Sequence, residues 1–141
     1  MTRQGPRKAV GPDHWRGRRD SARDHYERAR DAITLAKPTQ DARAIVSLIV
    51  LAAIAYADAL TANRAQVVNQ QDHASAPRLL REVLRNLLPD EKAKAFRDIL
   101  ALKDEAHYGA KPLAMTRAVG LLAKLDQFAA WAEDRLPHQP K

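Results

Sequence analysis

The sequence predicts an all-α fold: an antiparallel bundle of about five helices, preceded by a basic, poorly ordered N-terminal arm. Three observations point there. Residues 45–57 form a run of thirteen interrupted only by Ser47 and Tyr56. That is short of the roughly 20 apolar residues that span a bilayer, yet too long and alanine-rich for a strand. Four other segments repeat apolar residues at three- and four-residue steps, the period of a helix with one buried face. No segment of useful length alternates as a half-buried strand would.

In order along the chain, Gly5, Pro6, Gly11 and Pro12 make the first dozen residues a poor substrate for regular structure, and the arm is expected to fray to about Gly17. Ala22, Tyr26, Ala29, Ile33 and Ala36 then lie on one face of the first helix, which Pro38 closes. Thr39 is the expected N-cap of the second helix, with Asp41 in its first turn. Being apolar on every side, that helix should be surrounded by the others. The third begins at Ser75 or Ala76 before Pro77 and carries Leu79, Leu80, Val83, Leu84, Leu87 and Leu88 as its inward stripe. Pro89, Asp90 and Glu91 end it and start the fourth. There Phe96, Ile99, Leu100, Lys103, Ala106 and His107 share a side, and Gly109 suits a left-handed stop. The fifth runs to about Leu136 around Leu121, Leu125, Phe128 and Ala132. Gly120 in its middle implies a close helix approach or a merely tolerated position. The domain organisation is an arm at 1–19, a bundle at 20–137 and a tail at 138–141.

At 141 residues the chain suits one domain with a core of its own. It has no cysteine, which excludes disulfides, thiolate metal sites and cysteine nucleophiles. Residues 2–19 are basic and hold no apolar signal region, so a cytoplasmic protein without a membrane span is expected. Residues 1–30 carry nine Lys or Arg against four acids, most of the net +7. Such an arm, with Arg16, Arg18 and Arg19, can neutralise phosphates, so RNA, DNA or an acidic protein is a physically reasonable partner, the alternative being a solvated leader that binds nothing specific.

Polar residues cluster at two joints, Asp72 with His73 and residues 103–109. Asp58 follows the apolar run, where an unpaired buried carboxylate would be costly; it should pair with Arg64 or Lys103, or join His73, Lys103, His107 and Tyr108 in one cleft at the bundle end. Lys103 and His107, four residues apart, share a helix face and are the candidate catalytic pair. His73 is expected as a histidine bonded to the start of the third helix, and Tyr108 as a core aromatic with a partnered hydroxyl. Arg78, Arg81 and Arg85 form a basic face. Asp20, Asp24 and Glu27 alternate with arginines as a solvated surface does. No metal-ligand motif and no glycine-rich phosphate loop occurs, so no metal or cofactor is expected. No serine lies in an activating motif.

The stretch Asp72-His73-Ala74-Ser75-Ala76-Pro77-Arg78-Leu79-Leu80, followed by Lys103-Asp104-Glu105-Ala106-His107-Tyr108-Gly109, resembles the HEPN-like bacterial helical-bundle family. The resemblance covers about residues 21–136. It implies a bundle of four or five helices, often dimeric, found in toxin–antitoxin pairs, phage defence and RNA processing. Active ribonucleases of that family carry an Arg and a His separated by four to six intervening residues on a late helix. Here the corresponding positions are Leu100, Ala101 and Leu102 before His107, and Gln66, Val67 and Val68 before His73. Arg19 or Arg18 with His25, and Arg7 with His14, have the spacing only at the arginine-rich N-terminal end.

The expectation is therefore a non-catalytic HEPN-like module binding a protein or RNA, with an RNA-cleaving enzyme of non-standard constellation, using Lys103 and His107 or Arg19 and His25, as the alternative. Ala52, Ala53, Ala55, Ala57 and Ala59 offer a small-residue face on which a homodimer could form.

Overall fold

The computed structural model describes residues 7–70 and 72–138. In chain order the elements are β1 (Arg7–Ala9), α1 (His14–Leu35), α2 (Arg43–Ala65), β2 (Val67–Asn69), α3 (Ala76–Leu84), α4 (Asp90–Leu100), α5 (Lys103–Tyr108) and α6 (Met115–Arg135). Short 3-10 turns, His73–Ser75 and Arg85–Leu87, flank α3. This is the expected all-α bundle, with one two-stranded ribbon added.

α2 is the axis. Val46, Ile49, Val50, Ala52, Ala53, Ala55, Ala59 and Ala62 are fully buried in it, because a helix with no polar face can be stable only when covered on all sides. By length and composition α2 could cross a membrane, yet 78% of its most apolar window is buried within the bundle. α1 packs along it most extensively, and α3, α4, α5 and α6 cover the rest. Arg18, early in α1, meets Asp58, late in α2, so the two helices run antiparallel. The alanine face expected to seat a second copy is already covered by the chain's own helices.

Residues 7–19 of the N-terminal arm are built into the fold, contrary to the expected fraying. β1 pairs antiparallel with β2, Lys8 opposite Val68, and the Val10 amide donates to the Gln66 carbonyl at 3.0 Å. α1 starts at His14, within the stretch assigned to the arm, and the expected boundary at residue 19 falls inside it. Trp15 explains this: its ring is 4% exposed, and burying an aromatic side chain stabilises by about 2 kcal/mol or more. The guanidiniums of Arg16 and Arg19 lie 4.8 and 4.9 Å from its ring centre. Residues 1–6 and 139–141 lie outside the described residues, so most of the expected arm's leading end and C-terminal tail do too.

Other expectations fail for identifiable reasons. Thr39 does not cap α2. The N-cap is Ala42, without a side-chain cap; Asp41, one residue earlier, braces the entry, its Oδ1 accepting from the Arg43 amide at 3.1 Å and from the Leu113 amide at 3.0 Å. Hydrogen bonding from Leu113 and Arg43 holds its carboxyl below the usual carboxylate range. The fourth helix breaks at Ala101 and Leu102 into α4 and α5. Gly120 sits where an added Cβ would meet nothing within 4 Å, so it marks no close approach. Leu87 leaves the inward stripe and is 45% exposed. α3 stops at Leu84 because Arg85 adopts φ 51° and ψ −123°, a conformation costing about 1–3 kcal/mol for a side-chain-bearing residue.

Gly109 is extended, φ −68°, not left-handed. Its need for glycine is steric: a Cβ there would lie 2.3 Å from the Glu105 carbonyl oxygen. The Arg43 guanidinium donates to the Gly109 carbonyl at 2.7 Å, tying the end of α5 to the start of α2. Gly109→Ala is expected to cost about 1–3 kcal/mol, the range for overpacking a closed site. Thermal melts of the two proteins measure it.

Candidate functional site

The two polar joints meet. Asp72 starts the turn before α3, its carboxylate accepting from the Ala74 amide at 3.0 Å and the Ser75 hydroxyl at 2.8 Å. Ser, Thr, Asn and Asp side chains commonly satisfy free backbone donors at such starts, and the following His73 is thereby placed beside α5. A recess of 260 Å³ lies between them, lined by Asp72, His73, Ala74, Leu100, Lys103 and Asp104. His73 itself is no cap: its Nδ1 is buried and has no hydrogen-bond partner among the described residues. Its pKa is lowered, first by burial and then by the charges of Lys103 and His107, with Arg18 adding to them and Asp72 opposing. A positive potential therefore acts at the imidazole.

Asp58 does not line the recess but is joined to it. Its Oδ2 lies 3.1 Å from an Arg18 guanidinium nitrogen, so the partner is neither Arg64 nor Lys103. The choice is set by topology, since β1 and the early start of α1 bring Arg18 over the end of α2. Burial pushes the Asp58 carboxyl up to about 6, against the lowering effects of Arg18 and of the Asn69 amide, which donates to it. The Asn69 side chain in turn donates to the Asp72 carbonyl at 2.7 Å. One buried carboxylate thus connects α1, α2, β2 and the turn carrying His73.

His107 lies on the exposed side of α5, its Nδ1 3.0 Å from the Lys103 carbonyl. Tyr108 is 79% exposed, not the core aromatic expected, because α5 ends one residue later and turns it outward. Arg81 is spent structurally: it donates to the Arg85 and Leu88 carbonyls at 3.0 and 2.8 Å and to Asp90 at 2.8 Å. Arg78 and Arg85 on and after α3 are exposed. Arg19, assigned to a free basic arm, is 2% exposed and donates to the Pro137 carbonyl at 3.1 Å. Arg16 lies over Trp15. The structure therefore brings Asp72, His73 and Lys103 to one recess, with the charges of His107 and Arg18 acting on His73 and Asp58 held by Arg18 behind it; it leaves Tyr108, Arg16 and Arg19 out.

A second polar centre lies between α1 and α6. The Tyr56 hydroxyl donates to Glu133 at 2.9 Å, and Arg23 grips the same carboxylate with two bonds of 2.7 Å. Tyr26 donates to Asp126. Burial first, then the carboxylate partner, pushes the Tyr26 hydroxyl up to about 12 and raises that of Tyr56 further still. Burial would raise Glu133, but donation from Arg23 and Tyr56 outweighs it and its pKa is lowered. A 640 Å³ cleft opens over this network. The sequence signal was the matching stripe spacing: Arg23, Tyr26 and Arg30 on α1 face Asp126 and Glu133, seven apart, on α6. With both hydroxyls and the Arg23 fork engaged, the network fastens α1, α2 and α6 together.

Among the described residues no group of three or more His, Asp or Glu is placed to hold a metal. Comparison with protein-family models gives no matching family, and comparison with curated proteins gives no match.

Proposed function

We propose that the chain is a HEPN-like, non-catalytic interaction module that binds RNA through backbone phosphates at the recess between the His73 turn and α5, in a toxin–antitoxin or phage-defence setting. The observation supporting this reading is the charge gathered there: Lys103, His107 and Arg18 all act on a half-buried His73 whose Nδ1 has no partner among the described residues. Asp58, the nearby buried acid, is already engaged by Arg18, and Asp72 by its own turn. A phosphate oxygen in the recess would accept from the Lys103 ammonium, which has no acceptor among the described residues.

The recess replaces the arm as the proposed RNA contact, since Arg16, Arg18 and Arg19 are committed within the fold. Lys103→Ala is expected to weaken binding of a labelled oligoribonucleotide about tenfold and to reduce the slope of log affinity against log salt by about one. Unchanged affinity and slope would reject the reading.

One observation favours the ribonuclease alternative: two imidazoles flank Lys103, the groups that acid, base and phosphate-stabilising roles need. On the module reading His107→Ala leaves RNA integrity as it is in the parent protein. Reproducible cleavage that disappears in both His107→Ala and Lys103→Ala would establish the enzyme instead. A homodimer, if formed, uses a surface other than the α2 alanines; light scattering across a concentration series reads it directly.

A further inference from the structure

Where α2 ends, a different surface opens. A groove of 1010 Å³ runs between the C-terminal end of α2, β2 and α3, and a 270 Å³ recess adjoins it toward α6. They share Arg64, Leu84 and Leu87 in their linings, and neither includes a residue of the His73 recess.

Two properties set this surface apart. Its floor is apolar: Val67, Val83 and Trp131 are only partly buried, and Leu87 is 45% exposed. The Arg85 turn creates that exposure, because a helix continued through residue 88 would have kept Leu87 on the inward stripe. Its rim is cationic. Arg64, Arg85 and Arg135 all line it, and none of the three has an ion-pair or hydrogen-bond partner for its side chain among the described residues. The one acid in the lining, Glu82, is taken by Arg7.

Arginine and tryptophan around an apolar patch are the side chains that dominate protein interfaces. A nucleic-acid backbone would satisfy the rim but leave the aliphatic floor wet. A basic or neutral peptide would do the reverse. We propose that the groove docks an acidic amphipathic segment of a partner protein, its apolar side chains on Val67, Val83, Leu87 and Trp131 and its carboxylates on Arg64, Arg85 and Arg135. The inference stands independently of RNA binding at the other recess.

The test uses the full chain and three fluorescent probes: a helical peptide with leucines at three- and four-residue spacing and glutamates elsewhere, the same peptide with lysines for glutamates, and a uridine oligonucleotide. Fluorescence anisotropy is expected to show the glutamate peptide binding at least about tenfold more tightly than its lysine counterpart. The double variant Arg64→Glu/Arg135→Glu, two exposed side chains whose loss leaves the core intact, is expected to weaken that binding about tenfold or more. Leu87→Ser should weaken it with the charges retained, and Lys103→Ala should leave it unchanged. Equal binding of the two peptides, or no effect of the double variant, overturns the proposal. So does an oligonucleotide whose binding is lost in the double variant while the glutamate peptide fails to bind; that result would assign the groove to nucleic acid.

Discussion

Phe96→Ala is expected to lower the unfolding free energy by about 4 kcal/mol, the range for emptying a fully buried aromatic site. Phe96 is completely buried in α4 and stacks on Phe128 of α6, ring centres 5.3 Å apart and planes within 5°. Phe128 continues the contact to Trp131 at 5.8 Å. The cost therefore includes the lost transfer of the ring, the cavity and a broken aromatic pair. α4 has no other large aromatic to fill the space, and its ion pair to α6, Asp98 accepting from Lys124 at 2.8 Å, is exposed and contributes little. Urea titration followed by circular dichroism measures the shift. A loss below about 1 kcal/mol would mean that the α4–α6 seam is not part of the core.

The second large effect is electrostatic. Arg18→Ala leaves the Asp58 carboxylate buried without its counter-ion, and removing one partner of such a pair costs about 3 kcal/mol near neutral pH. The pH dependence identifies the cause. In the parent protein the Asp58 carboxyl is lifted from 3.8 to about 6 on folding, so between those values the folded chain holds the proton more tightly than the unfolded one. By linkage, this group's contribution makes stability fall as pH rises from about 4 to about 6, by up to about 3 kcal/mol, and then level off. Without Arg18 the folded pKa rises further, so the loss in Arg18→Ala should be largest at pH 8 and shrink toward pH 4. Asp58→Asn, which keeps an acceptor for the Asn69 amide, should flatten this part of the profile. Denaturation midpoints across pH for the three proteins carry the test; a loss in Arg18→Ala that is the same at pH 4 and pH 8 would show that Arg18 acts by packing alone.

What the sequence revealed and concealed follows from the range of each signal. α2 was legible because nearly all of thirteen consecutive positions agree, α1 and α6 because their apolar steps repeat over three or more turns, and α3 because two apolar pairs, Leu79-Leu80 and Val83-Leu84, recur four residues apart. β1 was not: its three residues, Arg7–Ala9, are all exposed and are held by backbone bonds to a segment about sixty residues away, which no local pattern encodes. The meeting of His73 with Lys103 and His107 was legible, since both joints are polar interruptions between apolar helices. The partner of Asp58 was not, because Arg18 lies 40 residues earlier, one arginine in a stretch full of them. The Tyr56, Glu133 and Arg23 network was missed similarly, because its signal, matched spacing on α1 and α6, is split between segments about a hundred residues apart. Leu87 was misplaced because the periodic pattern continues through it, whereas the chain turns at Arg85 without the glycine that ordinarily signals a positive φ.

The covering of α2 also bears on how the protein is made. In order of synthesis α2 emerges after α1 but before α3, α4, α5 and α6, so the growing chain displays the apolar run at residues 45–57 before most of its wrapping exists. Nascent molecules pass through a sticky stage that the finished one conceals. Expression yield should therefore respond to chaperone supply during translation.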